Sequence, residues 1–239
     1  MELLKDRVAI ISGGTGALGR AVSEHFLANG AKVSVPYIID AEVPLFNERA
    51  SRFPASSAWL SKVDVGDEQQ VAKFVEETAG KFGKVDILIN LVGGFWGFKT
   101  VADTTLAEWQ AMFDINLKPT FLLCRAAVPV MQKNKFGRIV SVSSRTGLTG
   151  AGEFAAYAIA KGAIKTFTAS LAEEVLADNV LVNAIAPSTI DTEANRKAMP
   201  KAKHENWVKP EDIARTLAFL CSEQNQVTSG AVVPVYGRA

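Results

Sequence analysis

The sequence predicts an α/β chain, with a doubly wound parallel sheet of about seven strands and helices on both faces. Three observations predict it. Short apolar runs suited to strands alternate with longer stretches of helical periodicity along the chain. Glycines gather at the first strand-to-helix turn, in Gly13-Gly14-Thr15-Gly16-Ala17-Leu18-Gly19. No repeat, low-complexity tract or linker divides the 239 residues, so one domain is expected over 1–239.

The elements follow in order. Residues 7–12 form a short apolar run, and 17–29 have helical spacing ended by Gly30. Residues 31–39 read as a second strand, with Pro36 marking an early end or an edge position. A weaker helix spans 42–53 and an alternating strand 58–64. In 67–82, Val71, Phe74, Val75 and Thr78 recur at helical spacing before Gly83. An apolar strand at 86–92 ends in Gly93-Gly94. Helices at 106–117 and 120–134 precede a strand at 138–144, a helix at 154–177 and a strand at 180–186. Residues 187–209 are polar with little periodicity and read as a small substrate flap. Pro210 suits the first position of a helix over 210–222, and 231–236 is the last strand.

Composition excludes several classes. Apolar residues make up 48% and the net charge is +1, so neither nucleic acid nor a membrane surface is an expected partner. Cys124 and Cys221 lie in apolar helical segments without metal-ligand spacing and read as reduced packing residues. With only His25 and His204 present, a histidine triad or a metal site is not expected. No run reaches the length of a membrane span and no signal-peptide pattern opens the chain, so the expected location is the cytoplasm.

Gly14, Gly16 and Gly19 satisfy G-x-G-x-x-G between a strand and a helix. Backbone amides and the helix N-terminus there cradle a pyrophosphate, as in a Rossmann dinucleotide fold. A site for NAD expects an acid at the end of the second strand. Tyr37 stands there, Asp40 follows a few residues later, and Arg20 begins the next helix. The cofactor is read as NAD or NADP, with a lean to NAD; Asp40 equally reads as a loop residue.

The chemistry centres on Ser144, Tyr157 and Lys161. Ser144 ends an apolar strand, and after a Gly-rich connection Tyr157 and Lys161 share one helix face at i, i+4. A cation one turn away is expected to lower the tyrosine pKa. Such a tyrosine exchanges a proton with a carbonyl or alcohol oxygen. Asn116 occupies a helical interior that its propensity disfavours, which points to a special role.

In this order these motifs resemble the short-chain dehydrogenase/reductase family across nearly the whole chain. The family pattern T-G-x-x-x-G-x-G aligns with Gly13 and Gly19 and meets Ala17 at its middle glycine. The resemblance implies cofactor contacts from Gly13, Thr15, Gly16, Ala17, Leu18, Gly19 and Tyr37. It implies adenine contacts from the Asp64-Val65 pair, and a sheet-end turn in Asn90-Leu91-Val92-Gly93, where the family's first Asn and its Gly are kept as Asn90 and Gly93. Asn183-Ala184-Ile185-Ala186-Pro187 resembles N-x-I-x-P-G with Ser188 in place of the glycine, so Pro187, Ile190 and Thr192 are expected near the nicotinamide carboxamide. Ser144 stands 13 residues before Tyr157, the family's spacing for its serine. The implied mechanism has Ser144 binding the developing oxyanion, Tyr157 moving the proton, Lys161 tuning Tyr157 and holding ribose, and Asn116 completing a water relay. A homodimer or homotetramer through the long helices is implied too. Leu122, Leu123, Ala126 and Val130, with Ala160, Ile164, Phe167 and Leu171, are the candidate contacts, or else face the sheet.

The substrate is read from aromatics. Phe95, Trp96 and Phe98 follow the fourth strand and Trp207 lies in the flap, which would suit a flat or apolar small molecule, or ordinary packing under loops. The Gly16–Gly19 turn, the Gly-Gly-aromatic run and Asp191-Thr192-Glu193-Ala194-Asn195-Arg196-Lys197-Ala198-Met199-Pro200 are similar to dihydropteridine reductases. That likeness implies a pterin as one candidate substrate. The reading from another class is a non-catalytic NAD(P)-sensing regulator.

Overall fold

The computed structural model describes residues 2–96 and 98–238. The first strand sets the architecture. All five residues of β1 (Val8–Ser12) are buried, so both faces of the sheet must be covered. Alternation sends Ala9 and Ile11 into one core and Ile10 into the other.

The remaining elements follow the chain: α1 (Ala17–Ala28), β2 (Lys32–Tyr37), α2 (Val43–Ala50), β3 (Ala58–Lys62), α3 (Glu68–Phe82) and β4 (Ile87–Asn90). Then come α4 (Leu106–Asn116), α5 (Lys118–Asn134), β5 (Gly137–Val142), α6 (Arg145–Thr149) and α7 (Ala155–Val175). Last are β6 (Val180–Pro187), α8 (Glu193–Ala198), α9 (Pro210–Cys221) and β7 (Val232–Val235). All strand pairs are parallel, in the order β3-β2-β1-β4-β5-β6-β7. The chain therefore reverses its direction of winding between β1 and β4. In open sheets of this kind the crevice at the carboxyl ends of those strands is the binding position.

One core joins Val22 and Phe26 of α1 to Ile213 and Leu217 of α9. The other joins Phe74 of α3, Leu123 of α5 and Leu171 of α7. Each fully buried Phe or Leu contributes about 1.5–3 kcal/mol. Local chemistry sets the helix ends. The Asp67 carboxylate accepts from the amides of Gln69 and Gln70 to start α3, and Gly83 at φ +84° ends it. Thr105 and Glu108 form a reciprocal capping box at the start of α4.

Four sequence expectations change. Pro36 lies inside β2, which is not an edge strand. Its pairing with β1 ends at Ser34, however, so past that point only β3 runs alongside, and a missing amide is tolerated there. The helix expected over 42–53 is shorter, because Asp40–Glu42 turn as a 3₁₀ segment first. The Gly-rich connection after Ser144 contains α6, whose start is capped by the Ser144 side chain. The segment at 187–209 holds α8 and a bridge from Ile190 to Val208.

Leu122, Leu123, Ala160, Ile164 and Leu171 are buried within the chain, with Leu122, Leu123 and Leu171 in the second core, while Ala126, Val130 and Phe167 pack against that core and stay partly buried. The exposed apolar residues of those helices are Phe121 and Ile159. Among the described residues, no helix is long and apolar enough to cross a membrane.

Candidate active site

A cleft of about 750 Å³ opens at the carboxyl ends of β1, β2 and β4. Its wall includes Gly13, Thr15, Gly16, Ala17, Leu18 and Gly19 from the first turn, Tyr37 from β2, Asp64 and Val65 after β3, and Gly93 after β4. The turn leaves no room for side chains. Gly13 sits at φ +69°, and a Cβ on Gly19 would lie 2.0 Å from the Gly13 carbonyl oxygen. Gly16 caps α1 without a side chain, so the amides of the first helical turn face outward. This bare backbone at a helix N-terminus fits a pyrophosphate. The exposed Asp64 carboxylate accepts from the Gly66 amide at 2.8 Å, which shapes the far wall.

Gly93 links this cleft to the chemistry. A Cβ there would meet Asn116 Oδ1 at 2.7 Å and Lys161 Nζ at 2.8 Å. Asn116, the last residue of α4, is fully buried. Its side chain donates to the carbonyls of Gly94 (2.9 Å) and Met112 (3.0 Å) and accepts from the Gly94 amide at 3.1 Å. The loop after β4 is thus clamped to the junction of α4 and α5.

Ser144 and Tyr157 are brought together by the close approach of α6 to α7. A Cβ on Gly162 would lie 2.8 Å from the Gly147 carbonyl oxygen, and one on Gly147 would lie 2.8 Å from the Lys161 carbonyl carbon. The Gly147 amide donates to Ser144 Oγ at 3.0 Å, fixing that hydroxyl at the start of α6. Burial raises the Tyr157 pKa, and a hydrogen bond with the Ser144 hydroxyl opposes that rise. Lys161 Nζ donates to the Val142 carbonyl at 2.9 Å, and burial lowers its pKa to about 8. The expected lowering of Tyr157 by Lys161 is therefore corrected. The ammonium is directed at the end of β5, and desolvation dominates both groups. Ser143, on the opposite side of the strand end, donates to the Lys161 carbonyl at 2.7 Å and holds α7 to β5.

Beside Tyr157 stands a group of rings. Phe95 meets Tyr157 edge-on at 5.2 Å and stacks on Phe154 at 4.9 Å, and Phe98 closes on both phenylalanines. Trp96, Met112 and Phe154 line a small hollow that ends at Tyr157.

Residues 14–237 match the family described as enoyl-(acyl-carrier-protein) reductase. The chain is a short-chain dehydrogenase/reductase. It is 30% identical to the 3-oxoacyl-[acyl-carrier-protein] reductase of Chlamydia muridarum, over 99% of this chain and 98% of that one. Levodione reductase superposes with a TM-score of 0.92 at 29% identity, covering 98% and 97% of the two chains. The structure of ElxO with NADP bound gives 0.90 at 26%, covering 97% of each. The fold and the oxidoreductase class expected from the motifs are thus shown, with NAD(P) as the coenzyme class.

As a short-chain dehydrogenase/reductase the chain keeps its motif residues but sets several of the expected site residues off the cleft wall. Asn90 does not line the cleft. Its side chain is buried and donates to Ser141 Oγ at 3.0 Å, tying β4 to β5. Pro187, Ile190 and Thr192 also lie off the cleft wall. Pro187 is buried at the end of β6, and Thr192 caps α8 by accepting from the Asn195 amide at 3.2 Å. Thr192 lines a separate polar hollow that shares Ala17 with the cleft. Trp207 is buried against His204, so it is no aromatic at the mouth. The aromatic run after β4 is described at Phe95, Trp96 and Phe98; Gly97 lies outside the described residues.

Two residues escaped the motif reading. Phe154 carries an aromatic signal three positions before Tyr157, but helical periodicity absorbed it. Glu42 stands at the start of the helix expected over 42–53, yet it lines the cleft and accepts from Thr15 Oγ1 at 2.6 Å.

Proposed function

We propose that the chain interconverts a carbonyl and an alcohol on a flat, largely apolar small molecule, with NAD(H) preferred as coenzyme. The observation that carries this reading is the position of Gly93, which lines the cleft and has the Asn116 amide oxygen and the Lys161 ammonium crowded into the space where a Cβ would stand. The end of the cleft at Gly93 therefore lies beside the buried ammonium. A nicotinamide dinucleotide held there supplies or accepts the hydride.

The protein's own groups do the rest. Ser144 Oγ, positioned by the Gly147 amide, donates to the substrate oxygen as negative charge develops on it. The Tyr157 phenol, kept protonated by burial, gives its proton to that oxygen in reduction and takes it back in oxidation. Lys161 places a positive charge at the end of β5, beside Gly93. Asn116 fixes the loop that carries Gly93 and Phe95, and its position beside Gly93 on the same side as Lys161 suits it to a proton relay.

Substrate selection falls to Phe95, Phe154 and Trp96, whose faces and edges surround the approach to Tyr157. The segment at 187–209 serves as the flap over the substrate. The chain is proposed to act in the cytoplasm, consistent with two buried, unpaired cysteines. It is proposed to associate as a homo-oligomer through the outer faces of α5 and α7, at Phe121 and Ile159.

The test is a panel of aromatic and alicyclic ketones, short 3-oxoacyl thioesters and a quinonoid dihydropterin, followed by oxidation of NADH. Turnover concentrated among flat cyclic ketones or the dihydropterin supports the reading. Turnover confined to flexible acyl chains contradicts the assignment of the ring cluster.

A further inference from the structure

We propose that Glu42 is the residue by which this chain selects NAD(H) over NADP(H). The inference rests on the cleft being a dinucleotide site, and it names the group that reads the adenosine ribose.

Glu42 ends the 3₁₀ turn Asp40–Glu42 that directly follows β2. It lines the cleft together with Tyr37, Ile38 and Ile39 from the end of that strand. One of its oxygens accepts from the Thr15 hydroxyl at 2.6 Å, and Thr15 belongs to the glycine turn that faces the phosphates. The carboxylate thus bridges the phosphate turn and the end of the second strand, which is where a dinucleotide fold holds the adenosine ribose. In that fold an acid at the tip of the second strand accepts from the ribose hydroxyls. Here Tyr37 occupies the tip, and the acid arrives from five residues later.

An ionised carboxylate has about four lone-pair positions, so the Thr15 bond leaves acceptor capacity for a 2′-hydroxyl. A 2′-phosphate would instead bring its negative charge against the carboxylate. The residues at the end of β2 offer that phosphate no compensation. Ile38 and Ile39 are exposed at the strand end, where a cation would have to stand. Arg20 is turned to the Thr15 carbonyl at 2.6 Å, and Lys62 is engaged with Asp40 at 2.5 Å. Neither Arg20 nor Lys62 lines the cleft. Among the described lining residues the one cation is Lys118, at the start of α5. Both the attractive group for a hydroxyl and the repulsive group for a phosphate are therefore the same side chain.

The experiment is equilibrium titration with NADH and with NADPH, followed by the fluorescence of the reduced nicotinamide, on the wild type, Glu42→Gln and Ile38→Arg. The wild type should bind NADH more tightly by roughly tenfold or more, the scale of one charged hydrogen bond. Glu42→Gln keeps the shape and removes the charge, so it should weaken NADH binding, strengthen NADPH binding and bring the two within about threefold. Ile38→Arg, at an exposed position, should raise NADPH affinity with Glu42 in place. A wild type that binds NADPH as tightly as NADH overturns the inference, as does a Glu42→Gln variant that keeps full discrimination while melting like the wild type. A wild type that binds neither dinucleotide overturns the cleft assignment itself, a different result from binding without discrimination.

Discussion

The Lys161 ammonium and the Val142 carbonyl are joined by a buried hydrogen bond of 2.9 Å, which anchors the start of α7 to the end of β5. The bond fixes where the positive charge sits. It also leaves that charge largely desolvated, and burial brings the Lys161 pKa down to about 8.

A pH dependence of stability follows. Between about pH 8 and the ordinary lysine value of 10.5, the unfolded chain binds a proton at this position that the folded chain has released. Stability from this group therefore rises with pH across that window. Chemical denaturation at several pH values should show the rise in the wild type and its loss in Lys161→Met. An unchanged slope in the variant would assign the pH dependence elsewhere.

The contact of Gly147 with Gly162 should be intolerant of a methyl group. In Gly162→Ala the new Cβ falls 2.8 Å from a backbone oxygen, so α6 must move away from α7. The cost should be about 1–3 kcal/mol in a melting experiment. Ser144 caps α6 through Gly147, so turnover should fall while dinucleotide affinity stays near that of the wild type. Equal losses in binding and turnover would show that the displacement spreads to the glycine turn.

Phe154→Ala removes the ring stacked on Phe95 beside Tyr157. With about 0.5–1.5 kcal/mol for an aromatic pair, KM for a flat ketone should rise several-fold, with kcat less affected. A fall in kcat alone would mean that the ring positions Tyr157 and leaves the substrate untouched.

Much of this was legible in the sequence because each signal is local. The burial of β1 is written in consecutive apolar residues, and the glycine turn in residues whose neighbours leave no space for a Cβ. Spacing marks Ser144, Tyr157 and Lys161 in the sequence, and the fold brings Ser144 to Tyr157. What spacing could not give is direction. Nothing in the i, i+4 relation of Tyr157 and Lys161 tells that the ammonium points to Val142 and that burial outweighs charge pairing. Asn90 and Thr192 sit at motif positions, but their side chains answer to Ser141 and to the first turn of α8, while the Ile190 backbone is held by its bridge to Val208. Glu42 reaches Thr15 across 27 positions, a contact created by the β1–β2 pairing and invisible to any local pattern.

The central claim is that the Tyr157 phenol moves the proton, and Tyr157→Phe tests it most directly because the substitution keeps the ring and its edge contact with Phe95. Wild type and variant should be loaded with NADH, mixed with the best ketone of the panel and followed through a single turnover. The account predicts equal NADH affinity and hydride transfer slowed by roughly 10²–10⁴-fold in the variant. Hydride transfer at the wild-type rate in Tyr157→Phe would contradict it.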